Sequence, residues 1–285
     1  MPRPTPYAAV QERLRPRLGP DVETLPQKWE RLGDVVVLRL PDTLGADDDR
    51  AAIGAAYADV LGARVVLHDR GGIQGRLRQP DVVRLHGEGS AETALRQDHI
   101  LYHLDPEAVM FSSGNIEERI RMGRIHARGE TLVDLCAGIG YFTLPLVVHA
   151  GAARAYACEL NPVSARYLRK NAAANGVAER IDVLEGDCRT VAPLDVADRV
   201  ILGWFPGGHA LLPTALAALR PEGGTLHYHD MARADAPGPE LLGHLDPLLD
   251  QSGFRLDRAT TRVVKSYAPG VVHAVLDAGL VAEDA

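Results

Sequence analysis

The sequence predicts an α/β chain: a doubly wound, mostly parallel sheet of seven strands closed by a C-terminal antiparallel hairpin, with a small α+β domain ahead of it. Three observations carry this. From about residue 128, short apolar runs rich in β-branched residues alternate with helical patterns. Three of those runs end in an acid, at Asp134, Glu159 and Asp187, with spacings of 25 and 28 residues that leave room for a crossover helix. Near the end, strand-like stretches at 260–267 and 271–277 flank Ala268-Pro269-Gly270, which reads as two strands and a turn.

Taken in order, residues 1–27 are proline-rich and charged, and are expected to form a loosely attached arm. Residues 28–127 are expected to form the small α+β domain with a junction helix. Within it, strands are expected at 35–38, 64–67, 82–85 and 99–104, and a helix at 51–61 ended by Gly62. Residues 128–285 are expected to form the catalytic domain. Its first strand ends at Asp134 and its second at Glu159. Asn161-Pro162 then starts a helix, with asparagine as cap and proline in the first turn, and Asn175-Gly176 ends it. A third strand at 181–184 leads to Gly186-Asp187-Cys188, a fourth is Val200-Ile201-Leu202, and a fifth covers 224–229.

The chemistry begins at Asp134-Leu135-Cys136-Ala137-Gly138-Ile139-Gly140. A strand, a tight glycine turn and a helix start let a nucleotide-like ligand approach bare backbone. Thr143 stands where the third glycine of a dinucleotide fingerprint would be, and no Lys-Ser or Lys-Thr pair makes a P-loop. The spacing resembles the cofactor loop of class I S-adenosylmethionine (SAM) enzymes. In that setting an acid at Glu159 accepts from both ribose hydroxyls, and one at Asp187 lies beside the adenine. Any one acid is an ordinary solvated loop residue; three in register at successive strand ends are not.

Composition bounds the rest. With 46% hydrophobic and 24% charged residues this is an ordinary globular composition. No apolar run approaches the ~20 residues of a membrane span, and the N-terminus lacks a signal-peptide core, so a cytoplasmic location and no membrane partner are expected. Cysteines 136, 158 and 188 have no metal spacing, and no metal is expected. A net charge of −7 argues against broad nucleic-acid binding, although a local arginine patch can coexist with an acidic total. The cations are 28 Arg and only 3 Lys, which with abundant Ala, Gly and Pro looks like a GC-rich bacterial genome.

The segment Met110-Phe111-Ser112-Ser113-Gly114-Asn115-Ile116-Glu117-Glu118-Arg119-Ile120-Arg121 resembles a junction motif of the tRNA wybutosine-synthesising aminocarboxypropyltransferases, relatives of the tRNA guanine-37 methyltransferases. Leu25-Pro26-Gln27-Lys28-Trp29-Glu30, residues 134–145, Gly186-Asp187-Cys188-Arg189 and Val264-Lys265-Ser266-Tyr267-Ala268-Pro269 match as well, so the resemblance runs from about residue 25 to the end. It implies SAM as donor of a 3-amino-3-carboxypropyl group, with methylthioadenosine released. It also implies that Ser112 and Arg119 belong to the cofactor site, with Arg119 pairing the methionyl carboxylate. Seven residues apart, the two would share one face if both lay on a helix. The implied cofactor set is thus Ser112, Arg119, Asp134, Gly138, Gly140, Glu159, Asp187 and Cys188. Cys188 departs from the asparagine that relatives often carry.

The fourth strand leads into Gly203-Trp204-Phe205-Pro206-Gly207-Gly208, with none of the Asp/Asn-Pro-Pro-aromatic pattern of amine methylation. Trp204, Phe205 and Pro206 are the acceptor-site candidates; the aromatics would stack on a flat acceptor or simply fill the core. His209, His227, His229 and Asp230 lie near strand ends, and none of them is singled out as a catalytic base. All three carbons on a sulfonium are open to attack, so orientation of the cofactor has to select one. For the acceptor, bacterial composition and acidic charge favour a small molecule, the phenol oxygen of a nocardicin-type β-lactam precursor as in the isonocardicin synthase type. The alternatives are the wybutosine-precursor base at tRNA position 37, a plain SAM methyltransferase and a non-enzymatic tRNA-binding module.

Overall fold

The structure is a computed structural model that describes residues 4–44 and 47–283. Packing divides the chain between Phe111 and Ser112 into two units. The first contains α1 (Pro6–Leu18), β1 (Trp29–Leu32), β2 (Val35–Leu38), α2 (Asp47–Leu61), β3 (Val65–Gln74), β4 (Gln79–His86), β5 (Thr93–Gln97) and β6 (Ile100–Leu104). Its sheet runs β1-β2-β3-β4, with β2 and β3 parallel across α2 and the other pairs antiparallel; β5 and β6 form a separate hairpin.

Residues 1–3 of the expected N-terminal arm lie outside the described residues. The rest of it is not loose. Thr5 caps α1 by accepting from the Ala8 N–H at 3.2 Å, and Pro6 occupies the first turn. Val10 and Leu14, one turn apart, are buried with Ile53 and Tyr57 of α2. A stripe of two residues beside Pro16 is too narrow to show as helical periodicity, which is why the sequence reads as an arm.

The second unit contains α3 (Ile116–Arg124), β7 (Thr131–Asp134), α4 (Thr143–Val148), β8 (Arg154–Glu159), α5 (Pro162–Ala174), β9 (Ile181–Glu185), α6 (Cys188–Val191), β10 (Arg199–Leu202), α7 (Leu212–Ala218), β11 (Gly223–Arg233), α8 (Pro237–Leu249), β12 (Phe254–Ala268) and β13 (Val271–Ala282). Its seven strands run β12-β13-β11-β10-β7-β8-β9, parallel from β11 to β9 and antiparallel through the β12–β13 hairpin. This is the doubly wound class I SAM-dependent fold. Asn161 caps α5 by accepting from the Val163 N–H at 2.9 Å.

The junction helix α3 belongs to this second unit. Gly123 lets it lie close on α4, where a Cβ would stand 3.3 Å from the His149 ring. Arg121 of α3 also donates to Asp277 of β13 at 2.8 Å. Among the described residues, no helix is long and apolar enough to cross a membrane.

Candidate active site

Register sets the site. Asp134 pairs with Ala157 and Ile201, and Glu159 with Glu185, so the carboxyl ends of β10, β7, β8 and β9 lie side by side. Open parallel sheets bind ligands outside those ends, beside the strand from which the order departs both ways, here β7.

The turn after β7 is held from below and from the side. Asp134, 1% exposed, accepts from the Thr143 hydroxyl at 2.7 Å and from the Cys136 N–H at 3.3 Å. Burial raises its carboxyl to about 6 against those two bonds. The threonine that breaks the dinucleotide fingerprint is therefore the residue that fastens helix α4 to the strand end. Asp134 braces the loop from within the core. Gly138 (φ +60°) and Gly140 (φ +102°) adopt left-handed backbone, and a Cβ would stand 2.5 Å from the Tyr141 ring and 2.7 Å from Leu144. The Gly138 N–H donates to Glu159 Oε2 and the Asn161 N–H to Oε1, each at 2.7 Å. The half-buried Glu159 is thus oriented by two backbone donors, with lone pairs remaining on both oxygens; burial raises its pKa despite them.

Asp187 stands just past β9 and accepts from Arg189 through the backbone N–H at 3.1 Å and the guanidinium at 2.9 and 2.5 Å. Arg189 is largely solvent-exposed, so this pair is a weak one. Cys188 is buried and engages the Cys136 thiol; that contact, with burial, pushes Cys136 well up.

Ser112 and Arg119 do come together, though not along one helix face. Ser112 precedes a 3-10 turn (Ser113–Asn115), and the chain bends so that Arg119 Nη1 donates to the Ser112 carbonyl at 2.8 Å. Arg119 is 2% exposed, and its guanidinium lies 5.6 Å from the centre of the Tyr141 ring, in the glycine loop after β7. Lys265 of β12 donates to Ser112 Oγ at 3.4 Å.

At the end of β10 the Gly203–Gly208 loop is held by Asp230, which accepts from the Gly207, His209 and Met231 N–H groups at 3.1, 3.2 and 2.8 Å and from the Tyr228 hydroxyl at 2.8 Å. Asp230 is a loop anchor. Trp204 is half-buried and packs on the core, Pro206 is exposed, and Phe205 stacks on His273 with centroids 4.0 Å apart. His229 stacks on Phe142 of the glycine loop after β7 at 4.8 Å and meets His273 at 3.2 Å. Burial keeps both rings neutral, His229 well below the usual range and His273 at about 4.

His227 belongs to a structural chain. Arg199 donates to its Nε2 at 2.6 Å, which leaves the proton on Nδ1 to be shared with Asp277 at 2.5 Å. Burial opposes ionisation of Asp277, but His227 and Arg121 hold its carboxyl at about 2. His209 is exposed, 3.6 Å from Asp230. Nothing in the sequence pattern marks Tyr141, Phe142 or His273 as site residues, and Thr143 is visible there only as a departure from glycine.

Two family models match this chain: the TRM5/TYW2 methyltransferase domain over residues 93–239 and the TYW2 N-terminal domain over residues 10–90. The tRNA(Phe) (4-demethylwyosine(37)-C(7)) aminocarboxypropyltransferase of Pyrococcus horikoshii is 34% identical, with 90% of each chain covered. The chain belongs to the TYW2 family. The corresponding enzyme of Methanocaldococcus jannaschii is 35% identical over 88% of this chain and 97% of its own. The crystal structure of P. horikoshii TYW2 in complex with MeSAdo superposes with a TM-score of 0.84 at 30% identity, covering 96% of this chain and 99% of that one. M. jannaschii TYW2 in complex with AdoMet gives 0.74 at 30% identity, over 90% and 100%. Against the tRNA wybutosine-synthesizing protein 2/3/4 of Arabidopsis thaliana, 38% identical over 90% of this chain, the chain spans only 26% of the relative's length.

Proposed function

We propose that this TYW2-family chain is a SAM-dependent enzyme that transfers the 3-amino-3-carboxypropyl group to carbon 7 of the 4-demethylwyosine base at position 37 of phenylalanine tRNA. The observation that carries this reading is near full-length similarity to two archaeal enzymes named for that reaction. The preference for a phenolic antibiotic precursor gives way to tRNA. That preference rests on composition, which reports on a genome and on total charge and is blind to the acceptor.

The residues present fit SAM. Glu159, at the carboxyl end of β8 beside the glycine turn, is already oriented by two N–H donors to receive ribose hydroxyls. When bound, SAM supplies a sulfonium that makes the carbons attached to it electrophilic. Arg119, fixed by Ser112 and Tyr141, pairs the methionyl carboxylate and so selects which of those carbons faces the acceptor. Asp187 offers its carboxylate to the adenine, with the buried Cys188 next to it in the chain. Trp204, Phe205 and Pro206 form the side against which a flat base stacks. A C–C bond forms at carbon 7, the Cγ–S bond breaks, its pair of electrons returns to sulfur, and carbon 7 gives up one proton.

Incubation with SAM and tRNA carrying 4-demethylwyosine should yield methylthioadenosine and a base heavier by the whole aminocarboxypropyl group. S-adenosylhomocysteine with a methylated base would overturn the reaction class.

A further inference from the structure

The edge strand β12 carries Arg255, Arg258, Arg262 and Lys265, whose odd and even positions would put them on two opposite faces of an unbroken strand. The register says otherwise. Their partners on β13 are Val281, Gly279, Val275 and His273, all an even number of residues apart and therefore on one face. Two irregularities do this, one between Leu256 and Arg258 and one between Val263 and Lys265. Each inserts a residue, and each returns the next basic side chain to the same side.

The result is one cationic row about 26 Å long, taking eight residues of β13 at ~3.3 Å each. Arg258 and Arg262 have side chains 73% and 55% exposed, Arg255 is exposed and Lys265 half-buried. Arg258 lies across Gly279, where a Cβ would stand 2.7 Å from its Cγ, so the missing side chain gives it a bed. Acids nearby neutralise little of the row. Asp277 is committed to His227 and Arg121, with Arg262 Nε 3.8 Å away, and Asp257 stands 3.8 Å from Arg258. At its far end the row meets the active site, where Lys265 reaches Ser112.

We infer that this face of β12 is the track along which the phosphodiester backbone of the substrate tRNA lies, guiding it to the Ser112–Arg119 junction. The inference rests on the tRNA reading above and adds where the RNA is held. A −7 chain that binds a polyanion needs its cations gathered, and the two bulges gather them.

The test is binding of a labelled phenylalanine tRNA across a salt series, with wild type and the Arg255→Gln, Arg258→Gln, Arg262→Gln triple variant. The expected result is a Kd raised roughly tenfold or more at low salt. The slope of log affinity against log salt should be shallower by about 2, at ~0.7–0.9 for each phosphate no longer neutralised. SAM affinity should be unchanged, and the triple Arg→Lys variant should keep the wild-type slope. If the glutamine triple loses SAM binding, Arg262→Gln alone replaces it, with the slope expected to fall by about 0.8. A glutamine variant with wild-type Kd and slope, in an enzyme that still modifies tRNA, overturns the track and leaves the function standing. A wild-type chain that neither binds nor modifies tRNA overturns both.

Discussion

Glu159 is the side chain proposed to receive the ribose. Both carboxylate oxygens are already fixed by backbone donors, at Gly138 and Asn161, so little rotamer entropy remains to be lost when hydroxyls arrive. Hydrogen bonds to a charged group contribute ~1.5–3 kcal/mol, so Glu159→Ala should weaken SAM binding roughly ten- to a hundredfold by calorimetry. An unchanged Kd in a folded variant removes the ribose assignment. Arg119 is prepared differently, with one arm on the Ser112 carbonyl and its plane beside Tyr141. Lysine keeps the charge and loses the fork, so Arg119→Lys should retain part of the transfer rate that Arg119→Ala loses. Wild-type rates in both would free Arg119 of the carboxylate role.

The β7–turn–α4 element is where sequence and structure agree most closely and where one reading shifts. The acid, the two glycines and the helix start are legible because each is a local requirement: a strand end, two left-handed residues, a first turn. The role of Asp134 is not legible, because it depends on a hydroxyl nine residues away. Its protonation has a measurable consequence. The folded pKa of about 6 stands above the ordinary 3.8, so the protonated acid contributes stability below pH ~4 that is lost as pH rises through 6. A gap of about two between the folded and unfolded pKa corresponds to roughly 3 kcal/mol. Asp134→Asn carries no such titration, so its melting temperature relative to wild type should rise between about pH 4 and 6 and level off above that. A constant difference across that range would mean that Asp134 ionises as freely in the fold as in the unfolded chain. The β12–β13 hairpin is legible from its Ala268-Pro269-Gly270 turn. Its bulges are not, since register belongs to the pair of strands and neither strand encodes it alone.

Across the whole molecule, the boundary expected from sequence at 127/128 and the division of packing at Phe111–Ser112 differ for a physical reason. Nothing in the local pattern of residues 116–124 tells which core a helix joins, and Gly123 and Arg121 commit it to the second unit. Every residue assigned to the cofactor, from Ser112 and Arg119 through Asp134, Gly138, Gly140 and Glu159 to Asp187 and Cys188, then falls on one side of that division. Each unit also has its own buried cluster, Val10 to Val66 in the first and Val133 to Leu280 in the second. A fragment of residues 112–285 should therefore fold and bind SAM with an affinity within about threefold of the full chain, since ~0.6 kcal/mol covers that ratio. The same fragment is expected to transfer far less to tRNA, because it lacks the unit matched by the TYW2 N-terminal domain. Calorimetry with SAM and a turnover assay with tRNA separate the two expectations. A folded fragment that binds SAM more than about tenfold more weakly would place part of the cofactor site in residues 1–111. One that modifies tRNA at the full rate would leave the first unit without a role in the reaction.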